Sequence, residues 1–309
     1  MKTIYLAIWY ACNQKCIGCP CTLHVDKSKN MTFETIKDFF DKIKDSNEPI
    51  NVTISGGEPT LHPDFIKIIR YFCNNDIGVT LLTNAEKFAD ENFCNEFLNN
   101  CNILNTRVIT TIHSSSYEIH EKQNNSIGSF MKSIKGLKYL FHRGIGITIK
   151  HCITKENYKD TLQFVRMVDS EFHPSVDIQF FGLDYCGLTK ERAKDLYCDF
   201  REMQEDIEKA LDLCMEIYSR NGRQTNLFNI PLCWIDPYYW KLCCLNDVKS
   251  GYEMYLDPTV KLQDFNDGAG KYAKQCKNCY VYEICPGTYK SLFDYFGEGA
   301  VSRVYEYKN

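Results

Sequence analysis

Short apolar runs alternate with amphipathic stretches through the first 182 residues of the chain. Six runs are rich in Ile, Val, Thr and aromatic residues and are apolar almost throughout, as buried parallel strands are. They cover residues 3–10, 50–54, 77–83, 107–112, 145–153 and 176–181. Between them, apolar residues recur every three or four positions, which predicts helices; Phe33, Ile36 and Phe40 share one such face, after Thr32 as a candidate N-cap.

Strands that alternate with helices favour a parallel sheet with right-handed crossovers. Six strand–helix units are fewer than the eight of a complete barrel. The pattern therefore predicts an α/β protein, with a partial (β/α)6 TIM-type barrel over residues 1–182. We expect residues 183–225 to form a helical connection around one long helix at 191–220. Residues 226–309 show no repeating pattern, and we expect them to form a small cysteine-rich extension.

Composition and charge exclude several classes of protein. The 309 residues are 44% hydrophobic and 25% charged, which is average for globular domains and excludes a disordered or fibrous chain. The formal charge of −4 argues against a nucleic-acid partner, because such proteins carry a basic footprint. The longest stretch without a charged residue is about 12 residues, whereas a membrane span needs about 20. We therefore expect no membrane partner.

Cysteine is the residue type that departs from the average, with 17 in the chain. The apolar N-terminal run leads into a cysteine cluster rather than a signal-peptide cleavage site, so we expect a cytoplasmic protein. In a reducing compartment, clustered cysteines are metal ligands or catalytic groups more often than disulfides. The cysteine clusters are therefore the candidate functional sites.

The first cluster follows the first predicted strand and has the spacing C-x3-C-x2-C. It consists of Cys12, Cys16 and Cys19. Thiolates are the ligands of iron–sulfur clusters, normally four per cubane, so three on one loop would leave one iron open to an external molecule. Zinc is the alternative, with Cys21 or His24 as a fourth ligand.

A second motif, Ser55-Gly56-Gly57-Glu58-Pro59, follows the second predicted strand. Ligands bind at the carboxyl ends of strands in parallel α/β proteins, and both motifs stand at such ends. Two glycines allow the backbone to approach a ligand closely, and the carboxylate beside them can accept a hydrogen bond from an ammonium group. Gly-Gly-Glu-Pro alone also fits an ordinary turn; together with the cysteine motif it indicates one site.

Together the two motifs resemble the radical S-adenosylmethionine (radical SAM) superfamily. The resemblance extends to Leu82-Thr83-Asn84 at the end of the third strand and to Asn157 after the fifth. It implies a [4Fe–4S] cluster whose open iron binds S-adenosylmethionine, and an enzyme that cleaves this cofactor reductively to a 5′-deoxyadenosyl radical. The radical then abstracts hydrogen from a substrate.

The resemblance assigns roles residue by residue. Cys12, Cys16 and Cys19 are implied as cluster ligands, Gly56, Gly57 and Glu58 as the lining of the methionyl ammonium, and Thr111 as a ribose neighbour. Family members carry an aromatic residue where this chain has Gly18. The apolar contact of the adenine is then expected elsewhere, at Phe180 or Phe181.

The second cluster lies in the extension and has the spacing C-x2-C-x5-C. It consists of Cys276, Cys279 and Cys285. It resembles the SPASM or twitch extension of radical SAM enzymes that modify peptides, although Tyr289 stands where the full SPASM pattern has a cysteine. The resemblance implies one auxiliary [4Fe–4S] cluster, with Cys233 as the preferred fourth ligand and Cys243 or Cys244 as alternatives. A structural zinc site is the other interpretation.

The substrate expected from this resemblance is a peptide or protein side chain, with a flavodoxin or ferredoxin as electron donor. A radical SAM enzyme for a small molecule or tRNA is an alternative. A metal-binding redox or structural protein without catalysis is another, which the intact Gly-Gly-Glu-Pro motif disfavours. Cys186, just past the sixth strand, is a weak catalytic candidate as a hydrogen-atom donor.

Overall fold

The computed structural model of the chain describes residues 2–19, 30–44, 48–186, 188, 190–245, 252–257, 260–262 and 270–301. The strands in these residues are β1 (Lys2–Trp9), β2 (Ile50–Gly56), β3 (Gly78–Leu82), β4 (Thr106–Thr111), β5 (Gly146–Ile153), β6 (Asp177–Gly182), β7 (Thr225–Phe228), β8 (Tyr252–Asp257) and β9 (Val260–Leu262). The α-helices are α1 (Phe33–Asp41), α2 (Phe65–Asn74), α3 (Glu91–Leu98), α4 (Tyr117–Asn124), α5 (Ser129–His142), α6 (Thr161–Glu171), α7 (Lys190–Leu196), α8 (Phe200–Asn221) and α9 (Lys290–Phe296).

The predicted alternation of strands and helices is present, and the α/β class is confirmed. The six predicted strands correspond to β1 through β6, with ends that differ by a few residues. At the start of α1, the side chain of Thr32 accepts a hydrogen bond from the N–H of Thr35 at 3.1 Å, as an N-cap does. The predicted face of that helix, Phe33, Ile36 and Phe40, is buried.

The described chain forms two compact units, each built from separate stretches of sequence. Unit 1 contains Met1–Thr111, Asn124–Ile149 and Gly251–Phe265. Unit 2 contains Ile112–Gln123, Lys150–Ser250 and Asn266–Asn309. The division predicted from sequence, at residues 182 and 225, follows the chain order instead and stays a prediction.

Unit 1 is organised around a sheet with the strand order β4-β3-β2-β1-β8-β9. β1 to β4 and β8 are parallel, and β9 runs antiparallel to β8. The carboxyl ends of β1 to β4 therefore share one edge. The pairing of β8 with β1 was not predicted, because a six-residue strand carries little periodic signal and its partner lies at the other end of the chain.

Aromatic side chains fill the space between the unit 1 sheet and its helices. The rings of Phe40 on α1 and Phe72 on α2 meet edge to face at 4.9 Å. Phe88 and Phe97 meet at 5.0 Å, and both are fully buried. Such edge-to-face pairs add to the free energy of burial and fix the helices on the sheet. The sheet edge that carries the two sequence motifs is thus supported by a closely packed core.

In unit 2, β6 and β7 are parallel neighbours, with Phe180 opposite Leu227. Arg223, which is 1% exposed, follows α8 and donates hydrogen bonds from its guanidinium to the carbonyls of Phe172 (2.8 Å) and Val176 (2.6 Å). These carbonyls lie between α6 and β6, so the buried cation ties α8 to the α6–β6 connection.

The single long helix predicted for residues 191–220 is two helices, α7 and α8. The break at residues 197–199 follows from Asp199, whose side chain accepts a hydrogen bond from the N–H of Arg201 at 2.9 Å and so begins a new helix. Gly222, with φ of +81°, ends α8 in the left-handed conformation that favours glycine.

The described part of the predicted extension has little regular structure, consisting of short 3-10 turns and α9. Side chains fasten it within unit 2. Trp234 Nε1 donates to the carbonyl of Ala300 at 3.2 Å, and the Ser291 hydroxyl donates to Asp184 Oδ1 at 2.6 Å. Among the described residues, no helix has both the length and the apolarity needed to cross a membrane.

Candidate iron–sulfur and cofactor site

The cysteine loop after β1 is in unit 1 and is held by its own polar residues. The N–H of Gln14 donates to Cys12 Sγ at 3.3 Å, and the Cys16 thiol donates to the Gln14 amide oxygen at 3.5 Å. The N–H of Cys19 donates to the carbonyl of Cys16 at 3.3 Å. The three thiols are thus arranged along one turn, with Gln14 between the first two.

Two side-chain hydrogen bonds attach this loop to the segment after β3. Asn84 Nδ2 donates to Asn13 Oδ1, and Gln14 Nε2 donates to Glu86 Oε1, both at 2.8 Å. The N–H of Lys15 donates to the carbonyl of Asn124 at 2.9 Å. These roles of Gln14 and Glu86 are not predictable from the sequence, in which Gln14 is marked only as a polar residue inside the cysteine spacing.

The two glycines after β2 allow their backbone to press against the start of the cysteine loop. A Cβ on Gly57 would lie 2.5 Å from the Ala11 carbonyl oxygen, and one on Gly56 would lie 2.1 Å from that of Trp9. The N–H of Gly57 donates to Trp9 O at 2.7 Å, and that of Glu58 to Ala11 O at 2.9 Å. The glycine motif therefore positions the cysteine loop directly.

Glu58 is 1% exposed, and its carboxylate is occupied by four donors of its own unit. Oε1 accepts from the N–H of Thr60 (3.1 Å) and the hydroxyls of Thr60 (2.6 Å) and Thr83 (2.7 Å). Oε2 accepts from the N–H of Asn84 at 2.8 Å. Burial raises the pKa of Glu58, and the four donors oppose that shift. Glu58 thus joins the ends of β2 and β3. Only Oε2, which has a single donor, can accept a further hydrogen bond from a cationic ligand.

Thr111 and Asn157, which the resemblance also includes, lie in different units and differ in their hydrogen bonds. Thr111 is the last residue of β4, at the same sheet edge as the cysteine loop, and is half-buried. Asn157 belongs to unit 2 and is fully buried. Its amide donates to the carbonyls of His113 (2.7 Å) and Cys152 (2.8 Å), and its oxygen accepts from Thr154 N–H at 2.7 Å. Within unit 2, Asn157 therefore joins the segment that contains His113 to the end of β5.

The expected adenine contacts at Phe180 and Phe181 are used within unit 2. Phe180 is fully buried in the core. Phe181 stacks on Phe228 at 4.6 Å, and the Lys150 ammonium lies 3.8 Å from the centre of its ring. In this structure neither ring presents a face to a ligand, because the core, Phe228 and Lys150 cover them.

Four cysteines of the extension line one cavity in unit 2. They are Cys233, Cys276, Cys279 and Cys285. Burial raises the pKa of Cys233 to about 12, and the three other thiols are near enough to contribute to that shift. The N–H of Gly287 donates to Cys285 Sγ at 3.4 Å, and the hydroxyl of Tyr272 donates to the Cys285 carbonyl at 2.8 Å.

Of the other candidate cysteines, Cys243 lies near the cavity, because the Cys285 thiol contributes to the raised pKa of Cys243. Cys243 pairs with Leu227 in a β-bridge, and the N–H of Cys244 donates to the Leu227 carbonyl at 3.0 Å. Neither cysteine lines the cavity. Cys186 is exposed, its N–H donates to Asp184 Oδ1 at 3.0 Å, and partial burial raises the pKa of its thiol. Cys21 and His24, the alternative zinc ligands, lie outside the described residues.

In the described part of the chain, no group of three or more His, Cys, Asp or Glu side chains is arranged to hold a single metal ion. Two groups of thiols could instead hold iron–sulfur clusters. One is the three-thiol loop fixed at the sheet edge of unit 1, and the other is the four-thiol cavity of unit 2. Both offer the soft sulfur ligands that such clusters use.

Comparison with known proteins identifies the chain's relatives. The model of the Radical SAM superfamily matches residues 6–168, just over half of the chain. Mycofactocin maturase MftC of Mycobacterium tuberculosis is 24% identical over 213 residues, which are 59% of this chain and 51% of the relative. The subtilosin biosynthesis protein AlbA of Bacillus subtilis is 26% identical over 150 residues, which are 48% of this chain and 32% of AlbA.

Among solved structures, Streptococcus suis SuiB bound to its precursor peptide SuiA superposes with a TM-score of 0.65. The match covers 97% of this chain and 76% of SuiB at 14% sequence identity, so it shows a common fold. The chain spans about half the length of the first curated relatives that it matches.

Proposed function

The chain belongs to the radical SAM superfamily, and from that premise we propose that it cleaves S-adenosylmethionine reductively and abstracts hydrogen from a peptide or protein side chain. The observation that carries this proposal is the contact between the three-cysteine loop and the Gly-Gly-Glu segment at one sheet edge of unit 1. When bound, a [4Fe–4S] cluster with S-adenosylmethionine supplies a 5′-deoxyadenosyl radical for hydrogen abstraction.

The protein's own residues hold and orient this chemistry. Cys12, Cys16 and Cys19 would bind three irons, and Gln14 fixes the loop between the first two. Glu58 keeps β2 and β3 together, and its Oε2 has capacity to accept a hydrogen bond from the methionyl ammonium. Thr111 at the end of β4 is the proposed neighbour of the ribose.

We assign a second, auxiliary [4Fe–4S] cluster to the unit 2 cavity. Its proposed ligands are Cys233, Cys276, Cys279 and Cys285, because these four line the cavity and Cys243 and Cys244 do not.

A peptide substrate is supported by the relatives, since MftC is named a maturase, AlbA a bacteriocin biosynthesis protein, and SuiB was solved with a precursor peptide. We also propose a cytoplasmic location, because reducing conditions there keep cysteines as thiols that can bind iron.

The test is anaerobic reconstitution with iron and sulfide, followed by reduction in the presence of S-adenosylmethionine. We expect 5′-deoxyadenosine by chromatography and a change in the electron paramagnetic resonance spectrum of the reduced cluster when S-adenosylmethionine is added. Peptides encoded beside the gene are then the substrates to test by mass spectrometry. A spectrum that S-adenosylmethionine leaves unchanged would favour a non-catalytic metal protein instead.

A further inference from the structure

An open groove in unit 1 runs along α5 from the cysteine loop. Residues of the segment Glu86–Asp90 and of helix α5 line it, and so does Asn13, the residue after Cys12. Its floor is apolar, with Leu61, Ala89 and Ile134, and Met131 beside them is 67% exposed. An apolar floor with a charged rim is the usual composition of a protein–protein interface.

The rim of this groove is unusually basic for the chain. Helix α5 carries Lys132, Lys135 and Lys138, and it contains no Asp or Glu among its 14 residues. All three lysines line the groove, together with Lys87. The whole chain, in contrast, has 40 acidic and 36 basic residues. The groove is therefore a local concentration of positive charge on a protein that is acidic overall.

Helices α8 and α9 contain lysine–carboxylate pairs, which α5 cannot form within itself because it has no Asp or Glu. In α8, Lys209 contacts Glu205 at 2.6 Å, and in α9, Lys290 contacts Asp294 at 2.6 Å, each four positions away. Such pairs stabilise a helix, whereas like charges three or four positions apart destabilise it. The arrangement in α5 thus costs helix stability, and a negatively charged partner would offset that cost.

The acidic residues of the groove are already engaged inside unit 1. The side chain of Glu86 is 8% exposed, accepts from Gln14 and lies 3.9 Å from Lys132. Asp90 caps α3 by accepting from the N–H of Asn92 at 2.9 Å. Two carboxylates against four lysines leave the lining of the groove with a net positive charge.

We infer that this groove is the docking surface of an acidic one-electron carrier protein of the flavodoxin or ferredoxin kind. The inference rests on the proposed function, since it gives the cluster its source of electrons. One electron leaves the reduced carrier and one electron reduces the cluster, with no bond made or broken. A carrier needs only to come near the cluster, and Asn13 and Gln14 connect the groove to the ligand Cys12.

The test measures binding and electron transfer separately. The double variant Lys135→Glu/Lys138→Glu reverses the charge of the rim and leaves Lys132 with Glu86. The matched control is Lys194→Glu/Lys209→Glu, which changes the net charge equally on exposed faces of α7 and α8. The probe is a purified bacterial flavodoxin, whose dissociation constant and rate of cluster reduction are measured at low and high ionic strength.

We expect the α5 variant to lose at least tenfold in flavodoxin affinity and reduction rate at low salt, and less at high salt. The control should behave like the wild type, and both variants should form 5′-deoxyadenosine normally with dithionite. Unchanged flavodoxin binding by the α5 variant would overturn the inference, as would loss of peptide modification alone with dithionite, which would make the groove a substrate site. Because binding of oxidised flavodoxin needs no cluster, a wild type without S-adenosylmethionine cleavage would refute the proposed function separately.

Discussion

The two cysteine sites of this chain are built in opposite ways. The first occupies eight consecutive residues, 12–19, and its polar residues bond to neighbours within that loop and to the adjacent sheet edge. The second gathers Cys233 from one segment and three cysteines from another, and only the fold of unit 2 brings them to one cavity. One site is fixed by local spacing and the other by tertiary packing.

This difference explains what the sequence could predict for each site. For the first, the spacing itself predicts the ligands, because residues so close in sequence must lie on one loop. For the second, the spacing predicts three ligands, with Cys233 preferred as the fourth and Cys243 or Cys244 as alternatives. The cavity lining favours Cys233, and the choice of distant residues that line a cavity has no local signal in the sequence.

The comparison predicts a large contrast between ligand substitutions at the two sites. Cys12→Ala should lower the reductive cleavage of S-adenosylmethionine at least about a thousandfold, or about 4 kcal/mol in activation free energy, because the cluster is lost. Cys276→Ala should leave most of this cleavage while the iron content falls from about eight to about four per chain. Chromatography of 5′-deoxyadenosine and iron analysis provide the two measurements.

Cys73→Ala is the control, because that cysteine lies on α2, outside both sites. Cleavage that survives in Cys12→Ala would remove the first ligand assignment. A wild-type chain with about four irons and one tightly held zinc would show that the second site binds zinc, and the contrast would then concern a structural metal rather than two clusters.

The first site should also be sensitive to a single methyl group. In Gly57→Ala, the new Cβ would meet the backbone oxygens of Ala11 (2.5 Å) and Tyr10 (2.7 Å), which cannot move without displacing the cysteine loop. We expect about a hundredfold slower S-adenosylmethionine cleavage, or about 3 kcal/mol, with all three cysteines intact. Gly299→Ala in the extension is the matched control, since no atom lies within 4 Å of its added Cβ. Equal activity of both variants would mean that the loop does not depend on this contact.

The role of Glu58 shows where residue-by-residue expectation and structure diverge. The motif indicated a carboxylate that faces a ligand, but in the structure three of its four hydrogen bonds fall on Oε1 and all four come from its own unit. A sequence motif records which residues occur together, not which of them contact the ligand and which contact one another. β1 to β4 are neighbours in chain order, as the alternation of strands and helices predicts. The place of β8 beside β1 and the side-chain partners of Glu58 depend on packing between distant residues.

Acid should destabilise unit 2 more than unit 1, because unit 2 buries histidines whose desolvation disfavours the charged form. Burial lowers the pKa of both His120 and His151 to about 4, from about 6.5 in an unfolded chain. Their contribution to folding is complete above pH 6.5 and is lost as the pH falls towards 4, by about 3 kcal/mol for each buried histidine. We therefore expect unit 2 to lose stability over this range, measured by urea unfolding at each pH.

Tryptophan fluorescence can assign that loss to a region. Trp9 belongs to unit 1, and Trp234 and Trp240 belong to unit 2, so a Trp9→Phe background reports unit 2 alone. His151→Phe should flatten the pH dependence of that signal, whereas His142→Phe, at an exposed position of α5, should not. A pH dependence that is unchanged in His151→Phe would exclude this histidine as its source.

The smallest expected effects concern the residues that support the ligands rather than bind metal. Gln14→Ala removes the link from the first loop to Glu86, and Tyr272→Phe removes the hydroxyl that donates to the Cys285 carbonyl. Supporting contacts of this kind typically change metal affinity by about 10- to 100-fold. We expect about a tenfold faster loss of the first cluster to an iron chelator in Gln14→Ala. In Tyr272→Phe the loss of the second cluster should be about fivefold faster at most, because a single net hydrogen bond contributes about 1 kcal/mol. If Tyr272→Phe lost its cluster faster than Gln14→Ala, the second site would depend more on local contacts than the first. The distinction between a site fixed by local spacing and a site fixed by tertiary packing would then fail.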